Sequence, residues 1–176
     1  KFKHNTAMKI ALKYGLIYSG INILWNLLLY ITELNRSDNA WIFQTLGLVF
    51  MIICIVMAIN EYKKNIGGGF IDFGTAFKHG LVIALISGVI GSLYYVLYVQ
   101  AIDPSFNDYI MQKQVDKMAE MGMGEADIEK AIEQSSKFQT PFWLLTFGIL
   151  GSLFVGSIVS LIMAAIMKKP NPNEIA

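Results

Sequence analysis

The sequence predicts an all-α protein: an integral membrane four-helix bundle, built as two helical hairpins in parallel repeat, with a short extramembrane helical hairpin between the third and fourth spans. Three observations predict it. The 176 residues are 55% hydrophobic and only 15% charged, with a mean hydropathy of +0.50, whereas soluble domains are about 25% charged. Four runs carry no formal charge at all: Tyr14–Ile31, Trp41–Asn60, His79–Ile102 and Phe142–Met167, of 18, 20, 24 and 26 residues, half the chain together. At 1.5 Å of rise per residue each is about long enough to cross a hydrocarbon core of roughly 30 Å. Finally, the charges segregate. With four spans, one face of the membrane receives nine lysines (Lys1, Lys3, Lys9, Lys13, Lys63, Lys64, Lys78, Lys168, Lys169) against Glu61, Asp72 and Glu174, a balance of +6. The other receives Arg36, Lys113, Lys117, Lys130 and Lys137 against ten acids, a balance of −5. Composition thus excludes a soluble globule, a secreted disulfide scaffold and a nucleic-acid binder. Because lysine and arginine near span ends stay in the cytoplasm, both termini are expected to be cytoplasmic.

The first span follows a basic N-terminal segment without a small-residue cleavage site, so it reads as an uncleaved span and not a signal peptide. Its polar residues recur four apart. Tyr18, Asn22, Asn26 and Tyr30 form a ribbon along one face, with Trp25 beside it. Amides in hydrocarbon need partners. Tyr18, Asn22 and Asn26 are therefore either glue between helices or the lining of a polar transport site.

The second span contains Leu48, Val49, Phe50, Met51, Ile52, Ile53 and Ile55 and shows no stripe of small residues. It is expected to lie at the periphery. Cys54, the single cysteine, lies within it and reads as a small hydrophobe. Gly67-Gly68-Gly69 then breaks the chain, and Asp72 is placed to cap a helix that continues into the third span. Phe70, Phe73 and Phe77 gather at this entry, where an aromatic anchor at the membrane surface is expected in preference to a ligand site.

Small residues at every fourth position mark three spans: Ala7, Ala11, Gly15 and Ser19 in the first; Ala76, Gly80, Ala84, Gly88 and Ser92 in the third; Gly148, Ser152, Gly156, Ser160 and Ala164 in the fourth. In lipid, such faces let helix backbones approach closely. The stripes on the third and fourth spans are expected to pack inside the bundle, and the long one on the fourth is also the best placed to meet another membrane protein or a second copy of the chain.

Residues 103–141 form the acidic outer segment. Asp103-Pro104 reads as an N-cap followed by proline at the first helical position. A helix to about Met121 should present Phe106, Ile110, Met111, Val115 and Met118 on one face. Gly122-Met123-Gly124 breaks it, and a second helix, about Glu125–Lys137, presents Ile128, Ala131, Ile132 and Ser135. Thr140-Pro141 opens the fourth span. So small a hairpin cannot fold alone and must rest on the spans, the membrane surface or a partner.

An internal repeat links the hairpins. Ala11-Leu12-Lys13-Tyr14-Gly15-Leu16-Ile17 matches Ala76-Phe77-Lys78-His79-Gly80-Leu81-Val82 with four identities at an offset of 65. The arrangement expected from this is a parallel repeat about an axis near the membrane normal.

Nothing in the spans points to catalysis. They hold no acid or base of the kind that proton-coupled transporters carry, their serines have no His or Asp companion, and the glycine triplet lacks the lysine and hydroxyl of a phosphate loop. His79 and His4 show no metal-ligand spacing. The expectation is a protein without enzymatic activity, metal or cofactor. It would serve as an accessory or scaffold subunit contacting partners through the outer hairpin and the fourth span. The alternative is a small oligomeric transporter or channel with its site near Asn22 and Asn26.

Two stretches resemble a known family: Phe73-Gly74-Thr75-Ala76-Phe77-Lys78-His79-Gly80, opening the third span, and Asp103-Pro104, closing it. With Ala11-x-Lys13-x-Gly15 and the acidic stretch before the last span, they make the chain similar to uncharacterised four-helix integral membrane proteins, grouped as a domain of unknown function and found mainly in the Bacteroidota. The resemblance implies a bacterial inner-membrane location with residues 103–141 in the periplasm, and no activity or catalytic residue.

Overall fold

The computed structural model describes residues 2–172, with side chains from Thr6 onward. Lys1 and Glu174, counted in the charge balance, lie outside the described residues, as do the side chains of Lys3 and His4. Among the described residues six α-helices follow one another: α1 (Phe2–Ile31), α2 (Ala40–Asn65), α3 (Phe73–Leu97), α4 (Phe106–Glu120), α5 (Glu125–Ser136) and α6 (Pro141–Met167). Four segments, Thr6–Ile31, Ala40–Asn65, Phe73–Ile102 and Pro141–Met167, are long and apolar enough to cross a membrane. The chain is a multi-pass membrane protein. The helices run past the charge-free stretches because lysine and glutamate are good helix formers; a charge ends the hydrocarbon segment without ending the helix.

The chain divides into two compact units. Residues up to Gly91 and again from Ile149 make one, and Ser92–Gly148 makes the other. The second unit contains residues 103–141 together with the C-terminal end of α3 and the start of α6.

In the first unit the core is formed by Ile55 and Ile59 of α2 with Ile83 of α3, all fully buried, and by Met51, Ala58, Ala76, Val159 and Ala164 around them. The expectation that α2 lies at the periphery is corrected here. Its most apolar window is 33% buried, as much as that of α3 and more than the 22% of α1 and α6. Gly47, Met51, Ile55 and Ile59, four apart, give α2 a buried face, flanked by Cys54 and Ala58. The small residues were present, but at a spacing of seven and four rather than a continuous stripe. Large apolar side chains such as Leu24, Phe154 and Ile166 point outward, as they must on a surface bathed in lipid.

The turns are specific. After α2, Gly68 and Gly69 adopt positive φ of 57° and 93°, and the Gly69 amide donates to the Lys63 carbonyl at 2.8 Å, so the glycine triplet closes the helix as a defined turn. Ile71 and Lys169 then exchange two backbone hydrogen bonds, at 2.9 and 2.8 Å. This clasp ties the entry of α3 to the exit of α6. No feature of the sequence announced it.

In the second unit α3 ends in a π-turn, Tyr98–Ile102, where the Asp103 amide donates to the Tyr98 carbonyl at 2.8 Å. Proline at 104 holds its predecessor out of the helical region, and Asp103 sits at φ −137°, ψ 76°. The expected cap at Asp103 differs from the structure. Ser105 occupies the cap position and α4 begins at Phe106, while the Asp103 side chain turns inward, 5% exposed, accepting hydrogen bonds from Ser105 Oγ at 2.8 Å and Tyr98 Oη at 3.2 Å. The rest of the hairpin follows the sequence reading closely. Phe106, Ile110, Met111, Val115 and Met118 on α4 and Ile128, Ala131, Ile132 and Ser135 on α5 are half-buried, and neither helix buries any residue fully. Phe138, Trp143 and Phe147 cluster at the start of α6, with ring centroids 5.3–5.8 Å apart, as aromatic rings do at a membrane interface.

Candidate functional site

Three groups of residues carry the chemistry available to this chain. The first is the set of small residues on α3 and α6, which the structure brings against one another. In the first unit Gly80 faces Ser160, Ala84 faces Gly156 and Gly88 faces Ser152. Each step is four residues up one helix and four down the other. A methyl group built on Gly80 would strike the Ser160 hydroxyl, one on Gly156 would strike the Ala84 methyl, and one on Gly88 would lie 2.9 Å from Ser152 Cβ. The Ser152 hydroxyl also crosses to the Ala84 carbonyl at 2.9 Å. In the second unit the same two helices meet at Ser92 and Gly148. Eight of the ten small residues in the two stripes, all but Ala76 and Ala164, are therefore paired across α3 and α6. The small-residue face of the fourth span, offered by the sequence as a possible partner surface, is turned toward α3; the outer face of α6 is large and apolar, with Leu150, Phe154, Ile158 and Leu161 exposed.

The second group is the polar ribbon on α1. Tyr18 is half-buried and packs against the core. The Asn26 amide donates to the Asn22 carbonyl at 3.0 Å and to Asn22 Oδ1 at 3.2 Å. Asn22 in turn lies over Gly47 of α2, 3.2 Å from where a methyl group on that glycine would stand. Beside it, Trp25 Nε1 donates to the Phe43 carbonyl at 2.9 Å. Asn22 and Asn26 are thus bonded to each other along their own helix, and Asn22 is pressed against α2.

The third group lies at the lysine-rich end of the first unit, where the two repeat motifs meet. The matched positions are buried alike: Ala11 with Ala76, Tyr14 with His79, Gly15 with Gly80, while Lys13 and Lys78 are exposed. They dock on consecutive residues of α2. Lys13 Nζ and Tyr14 Oη both donate to Glu61 Oε2, at 2.6 and 2.8 Å, and the His79 ring meets Tyr62 edge to face at 4.9 Å. Asp72 caps α3 by accepting the Thr75 amide at 2.8 Å. Partial burial pushes its carboxyl up, but the hydrogen bonds from Thr75, from its own amide and from Gly74 outweigh this and hold it below the usual carboxylate value. Of the three phenylalanines expected to anchor at the surface, Phe73 is exposed and stacked on Phe77 with centroids 6.4 Å apart, Phe77 packs on the core, and the Phe70 ring carries Lys169 Nζ at 5.2 Å.

Next to this junction is a cavity of about 540 Å³, lined by Ala7, Met8 and Ala11 of α1, Tyr62 of α2, and Thr75, Lys78, His79, Leu81, Val82 and Leu85 of α3. His79 is 4% exposed; its Nδ1 lies 2.8 Å from the Thr75 carbonyl, and its Nε2 is buried without a hydrogen-bond partner. A carbonyl accepts only, so Nδ1 carries a proton and donates it to Thr75. Sequence reasoning set His79 aside because it lacked ligand spacing. The signal that could have marked it was the repeat, which aligns His79 with Tyr14, a residue whose polar tip is used. Among the described residues no three His, Cys, Asp or Glu side chains gather as a metal site would require.

The family model described as a protein of unknown function (DUF4199) matches residues 13–169, from the first repeat motif to the clasp at Lys169. No curated protein and no solved structure matches the chain.

Proposed function

We propose, for a chain that belongs to the DUF4199 family of proteins of unknown function, the role of a non-catalytic accessory or scaffold subunit of the bacterial inner membrane. Both termini lie in the cytoplasm in this reading, and residues 103–141 lie in the periplasm. Nine lysines on the side of the termini against five lysines and arginines on the other support that orientation.

The observation that carries the role is the outer hairpin. Helices α4 and α5 are well formed, yet neither buries a residue, and their exposed faces hold Asp108, Asp116, Glu120, Glu125, Asp127, Glu129 and Glu133. A regular helical pair that contributes no core of its own is suited to meeting a basic surface on another protein. The fourth span enters this reading only through its outer apolar face, since its small residues are engaged with α3. The alternative of a transporter or channel near Tyr18, Asn22 and Asn26 draws less support, because Tyr18 packs on the core, Asn22 lies against Gly47 of α2 and Asn26 is bonded to Asn22 along α1.

Charge reversal tests the role. Wild-type protein purified from its native membrane in mild detergent is expected to elute as a complex, and the Glu120→Lys, Glu129→Lys double variant to elute without its companion at unchanged melting temperature. Recovery of the wild type as a bare monomer at native abundance overturns the reading.

A further inference from the structure

We infer that the cavity at the lysine-rich end holds one anionic phospholipid of the adjoining leaflet, its phosphate at Lys78 and one acyl chain along Leu81, Val82 and Leu85. The cavity of about 540 Å³ is within the range, about 300–1,000 Å³, of small-molecule binding sites, room for a headgroup and part of one chain.

The order of its lining identifies the occupant. Along α3 the wall runs Thr75, Lys78, His79 and then Leu81, Val82, Leu85, a change from polar to apolar within about 15 Å of helix. That change falls where the charge-free stretch begins, at His79. A soluble anion would use the first half alone and a hydrocarbon the second; a phospholipid uses both in the same sequence. Met8 and Leu85 of the cavity lining are 41% and 43% exposed, so apolar side chains of the lining also reach the surface that lipid covers.

Charge completes the match. Lys13 is committed to Glu61, which leaves Lys78 as the cation on the cavity wall, and Lys9, Lys63, Lys64, Lys168 and Lys169 share this end of the molecule. Lysines near a membrane surface draw anionic lipid. Phosphatidylglycerol, which carries a phosphate and no cationic group, is such a lipid.

The inference is tested with the full chain in detergent, titrated with dioleoylphosphatidylglycerol or dioleoylphosphatidylcholine and read by native mass spectrometry and thermal melting. One phosphatidylglycerol is expected to be retained in preference to phosphatidylcholine and to raise the melting temperature. The exposed Lys78→Ala substitution should weaken retention about five-fold, and Val82→Trp, which fills the apolar half, should abolish retention of that one lipid. Melting without lipid verifies that each variant is folded; should Val82→Trp not fold, Lys78→Ala decides alone. Glycerol phosphate, the headgroup without its chains, should produce no shift. Equal retention of the two lipids, retention indifferent to Lys78→Ala, or a glycerol phosphate shift matching that of the lipid would each overturn the inference.

Discussion

Two pairs of helices in the same bundle are joined by opposite means. Between α3 and α6 the contact is made of absent side chains: Gly80, Gly88 and Gly156 leave room that Ser160, Ser152 and Ala84 enter. Between α1 and α2 the contact is made of large and polar ones. Trp25 reaches the Phe43 carbonyl and packs edge to face on Phe50 at 5.7 Å, and Lys13 and Tyr14 converge on Glu61. Lipid tails are as apolar as leucine, so burial of hydrocarbon does not bring helices together in a bilayer; shape and hydrogen bonding do. The α3–α6 pair relies mainly on shape, with the one bond from Ser152 Oγ to the Ala84 carbonyl across it, and the α1–α2 pair on hydrogen bonds. The two should therefore fail differently. A seam built from missing atoms tolerates no addition, while a cross-linked pair loses one bond at a time.

The largest effect is expected at the seam. Gly156→Val places a methyl group where the Ala84 methyl already stands, and overpacking of this kind costs about 2–3 kcal/mol, or roughly 5–10 °C in melting temperature for a chain of this size. Gly151→Ala, five residues away on the same helix, meets nothing within 4 Å and should melt as the wild type does. Thermal unfolding in detergent distinguishes them. Equal melting of the two variants would break the comparison, because it would mean that the close approach of α3 and α6 does not hold the pair.

That seam was legible in the sequence, and the reason is physical. Four-residue periodicity is the repeat of a helix face, so Gly80, Ala84, Gly88 and Ser92 declare a surface without any knowledge of the partner. What faced them was not legible from the same rule, since the stripe on α6 fits another protein as well as it fits α3. The spans and the hairpin breaks at Gly122 and Pro141 were readable for similar local reasons. Three features were not. The burial of α2 depends on which of its faces its neighbours cover. The Ile71–Lys169 clasp is made by backbone groups about a hundred residues apart, which carry no residue signature. The cavity beside His79 requires three helix ends to converge. All three are products of tertiary arrangement, and the one hint for the last, the pairing of His79 with Tyr14 in the repeat, says which positions correspond and not what they touch.

On the α1–α2 side a single deletion should cost less. Trp25→Phe keeps the ring on Phe50 and removes the Nε1–H that donates to Phe43. Side-chain hydrogen bonds between membrane helices are worth about 0.6–1.7 kcal/mol, so a fall of roughly 1–6 °C is expected. A fall as large as that of Gly156→Val would erase the distinction between the pairs and would assign Trp25 a structural weight beyond its one bond.

The smallest effect sharpens the comparison most, because it concerns the residues that the transport alternative needs. Asn26 is exposed, and both acceptors of its amide, the Asn22 carbonyl and Asn22 Oδ1, belong to α1 itself. Unlike Trp25, it crosses to no neighbour through these bonds. If the ribbon is helix-local, Asn26→Ala should shift stability by no more than about 0.5 kcal/mol, as surface substitutions generally do. Asn22→Ala should cost more than Asn26→Ala, since Asn22 also covers Gly47. The reverse order, or a loss at Asn26 comparable to that of Trp25→Phe, requires a partner for this amide outside the chain, either a second copy or a permeating solute. Melting of the two alanine variants, in detergent and again in reconstituted bilayers, therefore decides whether the face of α1 around Asn26 merely completes its own helix or is completed by something else.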